Sequence, residues 1–223
     1  MGKKEIIYCI PGLGLDYRLF GKLSIGGVEL KFLDYIEPLK NENITSYAKR
    51  LAEEITDEEF SLLGMSLGGM LAIEIAETRK VNRLYLISTV KNKSEIPLFF
   101  KYIDKLPTSN KTASRLAIDA SVAFKPYYDK SDDAGNKLFD AMIRSASTAL
   151  LAWGVREIAN WDFEKQPNCS FYHLHGTADM IFPVKNIDQA ETLKGATHYM
   201  VYNDAVEVSK RIEARINLLA PSI

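Results

Sequence analysis

The chain has 223 residues, 47% of them hydrophobic, with 28 Lys and Arg against 29 Asp and Glu. That length fits one large domain, or a core carrying an insertion, with ample apolar material for its interior. The even charge balance argues against a nucleic acid or an anionic membrane as partner, since either favours a basic patch.

The opening "MGKKEIIYCIPG" has a basic start and an apolar run that Pro11 ends too early for a secretory signal. Gly2 invites a myristoylation reading, but Ile6 stands where that motif wants Ser or Thr. No stretch approaches the roughly 18 apolar residues that a membrane helix needs. "EIIYCI" (5–10) reads as a buried strand ended by Pro11 and Gly12, and "DYRLFGKL" (16–23) as a helix capped by Asp16. "VELKFLDY" (28–35) alternates in period two, a second strand. "NITSYAKRLAEEI" (43–55) puts Ile44, Tyr47, Leu51 and Ile55 on one helical face. "FSLLGM" (60–65) is a third strand, and a helix with Leu67, Met70, Leu71 and Ile75 in its stripe follows at once. "VNRLYLIS" (81–88) and "CSFYHLH" (169–175) read as the fourth and fifth strands, "QAETL" (189–193) as a short sixth, and 205–219 as a closing helix.

Strand and helix in alternation signal a parallel sheet covered on both faces. Between 91 and 168 the alternation stops, and "IPLFFKYIDKL" (96–106), "SNKTASRLAIDASVAF" (109–124), "DDAGNKLFDAMIRSA" (132–146) and "TALLAWGVREIANW" (148–161) all read as helices. The expected fold is therefore α/β, a mainly parallel sheet flanked by helices. Residues 1–90 and 169–223 make its core, and 91–168 form a helical insertion over the strand ends, a cap. Cys9 and Cys169 fall in apolar strand-like runs and read as two buried thiols in a reduced compartment, so a cytoplasmic protein is expected.

The chemistry-bearing motif is "GMSLGG" (64–69), at the joint of the third strand and the next helix. A side chain that must project from the top of a sheet needs a very sharp turn, which brings the residues two before and two after it together. Gly64 and Gly68 around Ser66 have that steric cause. Three fixed positions match by chance in roughly one chain of this length in fifteen, so the placement between strand and helix carries the reading. The bland alternative is that the glycines only permit close helix–strand packing. The Leu67 amide opens the helix and points at the same place, where it can stabilise negative charge on a carbonyl oxygen.

A serine hydroxyl needs a base beside it. The chain has three histidines, His173, His175 and His198, and the motif's order is serine, acid, histidine. Asp179 in "HLHGTADMIFP" follows the fifth strand, and only His198 in "GATHYM" comes after it. Asp179 would hold the His198 ring in its tautomer and stabilise the protonated form. Asp188 lies in the helix-like "KNIDQA", and Asp162 precedes its strand, at the wrong edge of the sheet. The loop after the first strand, "IPGLGLD", offers a second oxyanion donor, the Leu13 amide, unless it is only a tight turn. Gly12 and Gly14 also suggest a dinucleotide fingerprint, but its third glycine would fall on Tyr17. His173, His175 and Asp179 suggest metal ligands, yet no further Cys or His completes a shell, and His175 reads better as a tie for the acid loop.

Taken together, "IPGLG", "GMSLGG", "HGTADMIFP" and "GATHYM" resemble the α/β-hydrolase fold family over essentially the whole chain. The resemblance implies a cap inserted after the strand that follows the nucleophile helix, and no cofactor. Two departures stand out: Ile10-Pro11-Gly12 replaces the common His-Gly, and the antiparallel strands that often precede the oxyanion loop are expected to be missing. The cap is rich in aromatics: Phe99, Phe100, Tyr102, Phe124, Tyr127, Tyr128, Phe139, Trp153 and Trp161, some of them expected to line an apolar pocket. Lys101, Lys105, Lys111, Arg115, Lys125 and Lys130 read as a solvated helix face rather than as a site for an anionic carrier. The expected function is a serine hydrolase of small-molecule carboxylic esters or thioesters acting through an acyl-enzyme. The alternatives are a ligand-binding protein on the same scaffold with little turnover, and a lyase or C–C hydrolase using the same residues.

Overall fold

The computed structural model describes residues 4–103, 119, 122, 123, 125 and 129–219. Its strands are β1 (Glu5–Ile10), β2 (Val28–Phe32), β3 (Ser61–Met65), β4 (Leu84–Ile87), β5 (Phe171–Gly176) and β6 (Glu191–Leu193). They form one sheet in the order β2-β1-β3-β4-β5-β6, with every pairing parallel. The helices, among the described residues, are α1 (Ile44–Leu51), α2 (Leu67–Ala76), α3 (Phe99–Ile103), α4 (Asp133–Ser145), α5 (Thr148–Asn160), α6 (Met200–Asn203) and α7 (Ala205–Leu219).

Period-two geometry sends successive side chains to opposite faces of the sheet. Ile7, Cys9, Leu63, Met65, Tyr85 and Ile87 enter one layer, where Leu19, Phe20, Val208 and Ile212 cover them. Tyr8, Ile10, Leu62, Leu84 and Leu86 enter the other, under Tyr47 and Leu51 of α1, Met70 and Leu71 of α2, and Ile158 of α5. Both faces are thus dry, which is why the central strands read as nearly continuous apolar runs.

Several elements are shorter than their sequence pattern suggests. The 16–23 stretch forms only a 3-10 turn, Tyr17–Phe20, with the Asp16 carboxylate accepting from the Arg18 amide. β2 stops at Phe32, because Pro11 has no N–H for the rung after the Leu33 amide's bond to the Cys9 carbonyl (3.0 Å). The helix read over 43–55 is α1 followed by a tighter 3-10 turn, Ala52–Glu54. The helix-like 185–190 holds only the 3-10 turn Val184–Asn186. Asp188 is drawn out of helical geometry by a buried pair: its amide donates to Glu95 Oε1 (3.0 Å) and its carbonyl accepts from Lys91 Nζ (2.5 Å). Cys9 is buried, but Cys169 is only half-buried; both are free thiols.

Between β4 and β5 the described residues hold helices and turns and no strand. The helix read at 109–124 lies outside them except at 119, 122 and 123, as do Phe124, Tyr127, Tyr128, Lys105, Lys111 and Arg115. α5 is bound firmly to the sheet's helical layer. Trp153 packs on Tyr47 at 4.2 Å and donates its indole N–H to the Glu42 carbonyl (2.9 Å). Glu157 Oε2 accepts the Ile44 amide (2.9 Å), one of the donors that the first turn of α1 cannot satisfy itself. Trp161 donates to Glu74 Oε1 (2.7 Å). Among the described residues no helix is long and apolar enough to cross a membrane.

The tightest joint is where α2 leaves β3. A Cβ on Gly68 would lie 2.2 Å from the Ile10 carbonyl oxygen and 2.4 Å from that of Pro11, and one on Gly64 would lie 2.4 Å from the Gly68 oxygen. The obstacles are backbone atoms, which have little freedom to retreat. Gly68→Ala is therefore expected to lower the unfolding free energy by about 3 kcal/mol, the upper end for overpacking, as read from urea denaturation.

Candidate active site

β1 connects outward to β2 on one side, while its other neighbour is β3, so the connection reverses between them. In an open parallel sheet that reversal leaves a crevice at the carboxyl ends of the strands. The loop after β1 and the turn after β3 meet there.

Ser66 occupies that turn at φ 57° and ψ −125°, a conformation that disfavours any side chain and stores on the order of 1–3 kcal/mol. Neighbouring groups hold it in place. The Ser66 amide donates to the Ile87 carbonyl (3.1 Å), and its carbonyl accepts from the Thr89 hydroxyl (2.6 Å) and the Gly69 amide (2.9 Å). Leu67 is the first residue of α2, so its N–H has no acceptor within the helix. Across the crevice, the Leu15 amide closes a turn onto the Gly12 carbonyl (3.0 Å), and the Tyr35 hydroxyl anchors the Pro11 carbonyl (2.8 Å). The Leu13 side chain is seated on Gly154 of α5, where a Cβ would meet Leu13 Cδ1 at 2.3 Å. The loop after β1 is therefore fixed from two directions.

Asp179 and His198 come together as the chain order suggests: His198 Nδ1 lies 2.7 Å from Asp179 Oδ2. The carboxylate is an acceptor, so Nδ1 carries the proton and Nε2 is the basic nitrogen. Asp179 is buried, and its Oδ1 accepts the amides of Ile181 (2.8 Å) and Phe182 (2.9 Å). Burial alone would raise its pKa, but the adjacent His198 and His175 rings prevail and hold the carboxyl well below the ordinary 3.8. His175 Nε2 donates to the Phe182 carbonyl (2.8 Å) and lies 3.3 Å from Asp179 Oδ2, so its ring ties the acid loop to β5. His173 accepts from Lys91 Nζ (3.4 Å), and burial, with Lys91 and His175 beside it, pushes its pKa well below 6.5. Among the described residues no three His, Cys, Asp or Glu side chains are arranged to hold a metal ion. Asp162, set aside in the sequence, is exposed and pairs with Lys93 (2.8 Å).

Ser66 and His198 line one cavity of about 280 Å³, whose walls include Leu13, Met65, Phe99, Phe100, Phe139 and Ile158. Trp153 and Trp161 pack against the core instead, and Tyr102 is exposed. Two further wall residues, Lys125 and Asp129, were not legible as such. Lys125 is a correction to the solvated-face reading: it is only 2% exposed, because the Asp129 carboxylate one helical turn away compensates its charge. An i, i+4 Lys–Asp pair is common on open helix faces, so sequence spacing gave no sign of its burial.

A six-stranded parallel sheet flanked by helices, with a strained serine turn after β3 and an Asp–His pair on the loops after β5 and β6, is the α/β-hydrolase fold. Comparison with known proteins agrees. A pimeloyl-[acyl-carrier protein] methyl ester esterase of Legionella pneumophila (strain Paris) is 28% identical over 171 residues, 73% of this chain and 69% of the relative. The bromoperoxidase from Bacillus anthracis matches 97% of this chain and 93% of its own at a TM-score of 0.75 and 18% identity. An esterase from Exiguobacterium antarcticum matches over the same shares and TM-score at 14% identity. No family model matches the chain.

Because the Asp179 pKa is depressed in the folded state, its stabilising effect is complete above 3.8 and is lost as pH falls below that value. The parent protein should exceed Asp179→Asn in unfolding free energy at neutral pH. Urea titrations at a series of pH values should show the difference narrowing once pH drops through 3.8.

Proposed function

We propose that the protein is a serine hydrolase that cleaves small-molecule carboxylic esters or thioesters through an acyl-enzyme. The observation that carries this reading is the pairing, in one cavity, of a serine on a strained strand–helix turn with a histidine whose Nδ1 is bound to a buried carboxylate. Ser66 Oγ attacks the carbonyl carbon as His198 Nε2 takes its proton. Asp179 keeps the ring in its tautomer and stabilises the imidazolium. The amides of Leu67 and Leu13 receive the oxyanion of the tetrahedral intermediate. Collapse expels the alcohol or thiol with the proton from His198. Water, deprotonated by the same nitrogen, then attacks the acyl-enzyme, and the acid is released as Ser66 regains its proton.

The helices between β4 and β5 act as the cap in this reading. Phe99, Phe100, Phe139 and Ile158 from that stretch share the cavity with Ser66 and His198, which supports it. A volume of about 280 Å³ and largely apolar walls suit a short acyl chain or a small aromatic acid. The relatives named as esterases support an ester over a C–C bond as the scissile group.

A fluorophosphonate probe should modify Ser66 in the parent, as located by mass spectrometry, and should fail on His198→Ala. Against p-nitrophenyl esters of increasing acyl length, Ser66→Ala is expected to lose about 10⁴-fold or more in kcat while keeping its fold. A folded Ser66→Ala protein as active as the parent would overturn the mechanism. Ligand binding without product or labelling would instead favour a binding protein.

A further inference from the structure

The Lys125–Asp129 pair on the cavity wall has more partners than a simple ion pair needs. Lys125 Nζ bonds the Asp129 carboxylate and reaches Ser131 Oγ (2.7 Å) and Asn136 Oδ1 (3.1 Å), with the Tyr199 ring centroid 4.8 Å away. An ammonium has three N–H donors, and all three have protein acceptors here, so none remains for a substrate carboxylate. Asp129 is equally occupied. Oδ2 takes Lys125 and Ser131 Oγ (2.5 Å), while Oδ1 takes the Thr197 hydroxyl and the Asn203 amide (3.1 Å).

The last two partners give the network its direction. Thr197 immediately precedes His198, and Asn203 is the final residue of α6. α6 is a single turn, and Tyr199 at its N-terminus makes no side-chain capping bond. One carboxylate therefore holds both ends of the segment that carries the proposed base. Asp179 fixes Nδ1 and Phe182 packs edge-on against the ring, centroids 5.5 Å apart, but neither contact holds the backbone that carries His198. The position of Nε2 depends on where the backbone of 197–203 stands.

Resting on the hydrolase reading above, we propose that Asp129 is a positioning residue that clamps residues 197–203 at both ends and so places His198 Nε2 for proton transfer. Seating Lys125 and Asp129 at the cavity and setting the base are then one event, and substrate recognition falls to the apolar walls.

Thr197→Val removes one strap and leaves the Lys125–Asp129 pair intact; Thr197→Ser restores the hydroxyl. With p-nitrophenyl esters, Thr197→Val should lose about tenfold in kcat, with KM and melting temperature near the parent's. The rate of fluorophosphonate reaction at Ser66 should fall in parallel, and Thr197→Ser should recover both. Should Thr197→Val fail to fold, Asn203→Ala cuts the other strap at a half-buried position and carries the same expectation. A reactive parent whose folded strap variants keep their kcat overturns the positioning role alone, as does a loss confined to KM or one that Thr197→Ser leaves unrepaired. A parent that neither turns over esters nor reacts at Ser66 defeats the hydrolase reading, and this inference with it.

Discussion

The first turn of α2 lies directly against the backbone at the end of β1, with the Ile10 and Pro11 carbonyls where a side chain of residue 68 would stand. That contact between main chains sets the geometry of the whole crevice. It brings the loop after β1 and the turn after β3 within one site, with Leu13 and Ser66 on the wall of one cavity. It also leaves no gentler path from strand to helix, which forces Ser66 to a positive φ. Strain of this kind persists only where the surroundings overdetermine it, and here Ile87 and Thr89 at the end of β4 grip the serine's amide and carbonyl.

The second organising force is charge compensation inside an apolar shell. A lone carboxylate in such a place would be strongly destabilising, so each buried one is matched. Asp179 collects two backbone amides and two imidazoles; Asp129 collects an ammonium, two hydroxyls and an amide; Glu95 takes Lys91 and two backbone amides. The loops after β5 and β6 have little regular structure of their own. Their shape comes from these bonds, which is how short irregular segments can present a histidine at a defined place.

The sheet was legible because its cause is local. Alternation in 28–35 and continuous apolar runs at 5–10 and 60–65 report, respectively, an edge strand and buried central ones. The nucleophile turn was legible because its steric demand falls on two positions close to the serine, and Asp179 and His198 followed from chain order. Residues 185–190 misled, since their helical spacing yields to a tertiary pull from Lys91 and Glu95 that no local pattern encodes. Lys125 misled in the opposite sense. The spacing that marks a wet helix face is equally that of a buried pair, and the partners that tell them apart, Thr197 and Asn203, lie far along the chain.

The bond from Glu157 to the first amide of α1 spans 113 residues. β4 likewise waits for β5, its other neighbour, until the whole segment between them has been made. During synthesis the segment from β1 through β4 therefore emerges with the rim of a central strand open and with an incompletely capped helix. Pairing across such a distance is slow, and an open apolar strand invites association between nascent chains. The same stretch that walls the cavity thus makes the folding of this sheet a late event, completed only once β5 has left the ribosome.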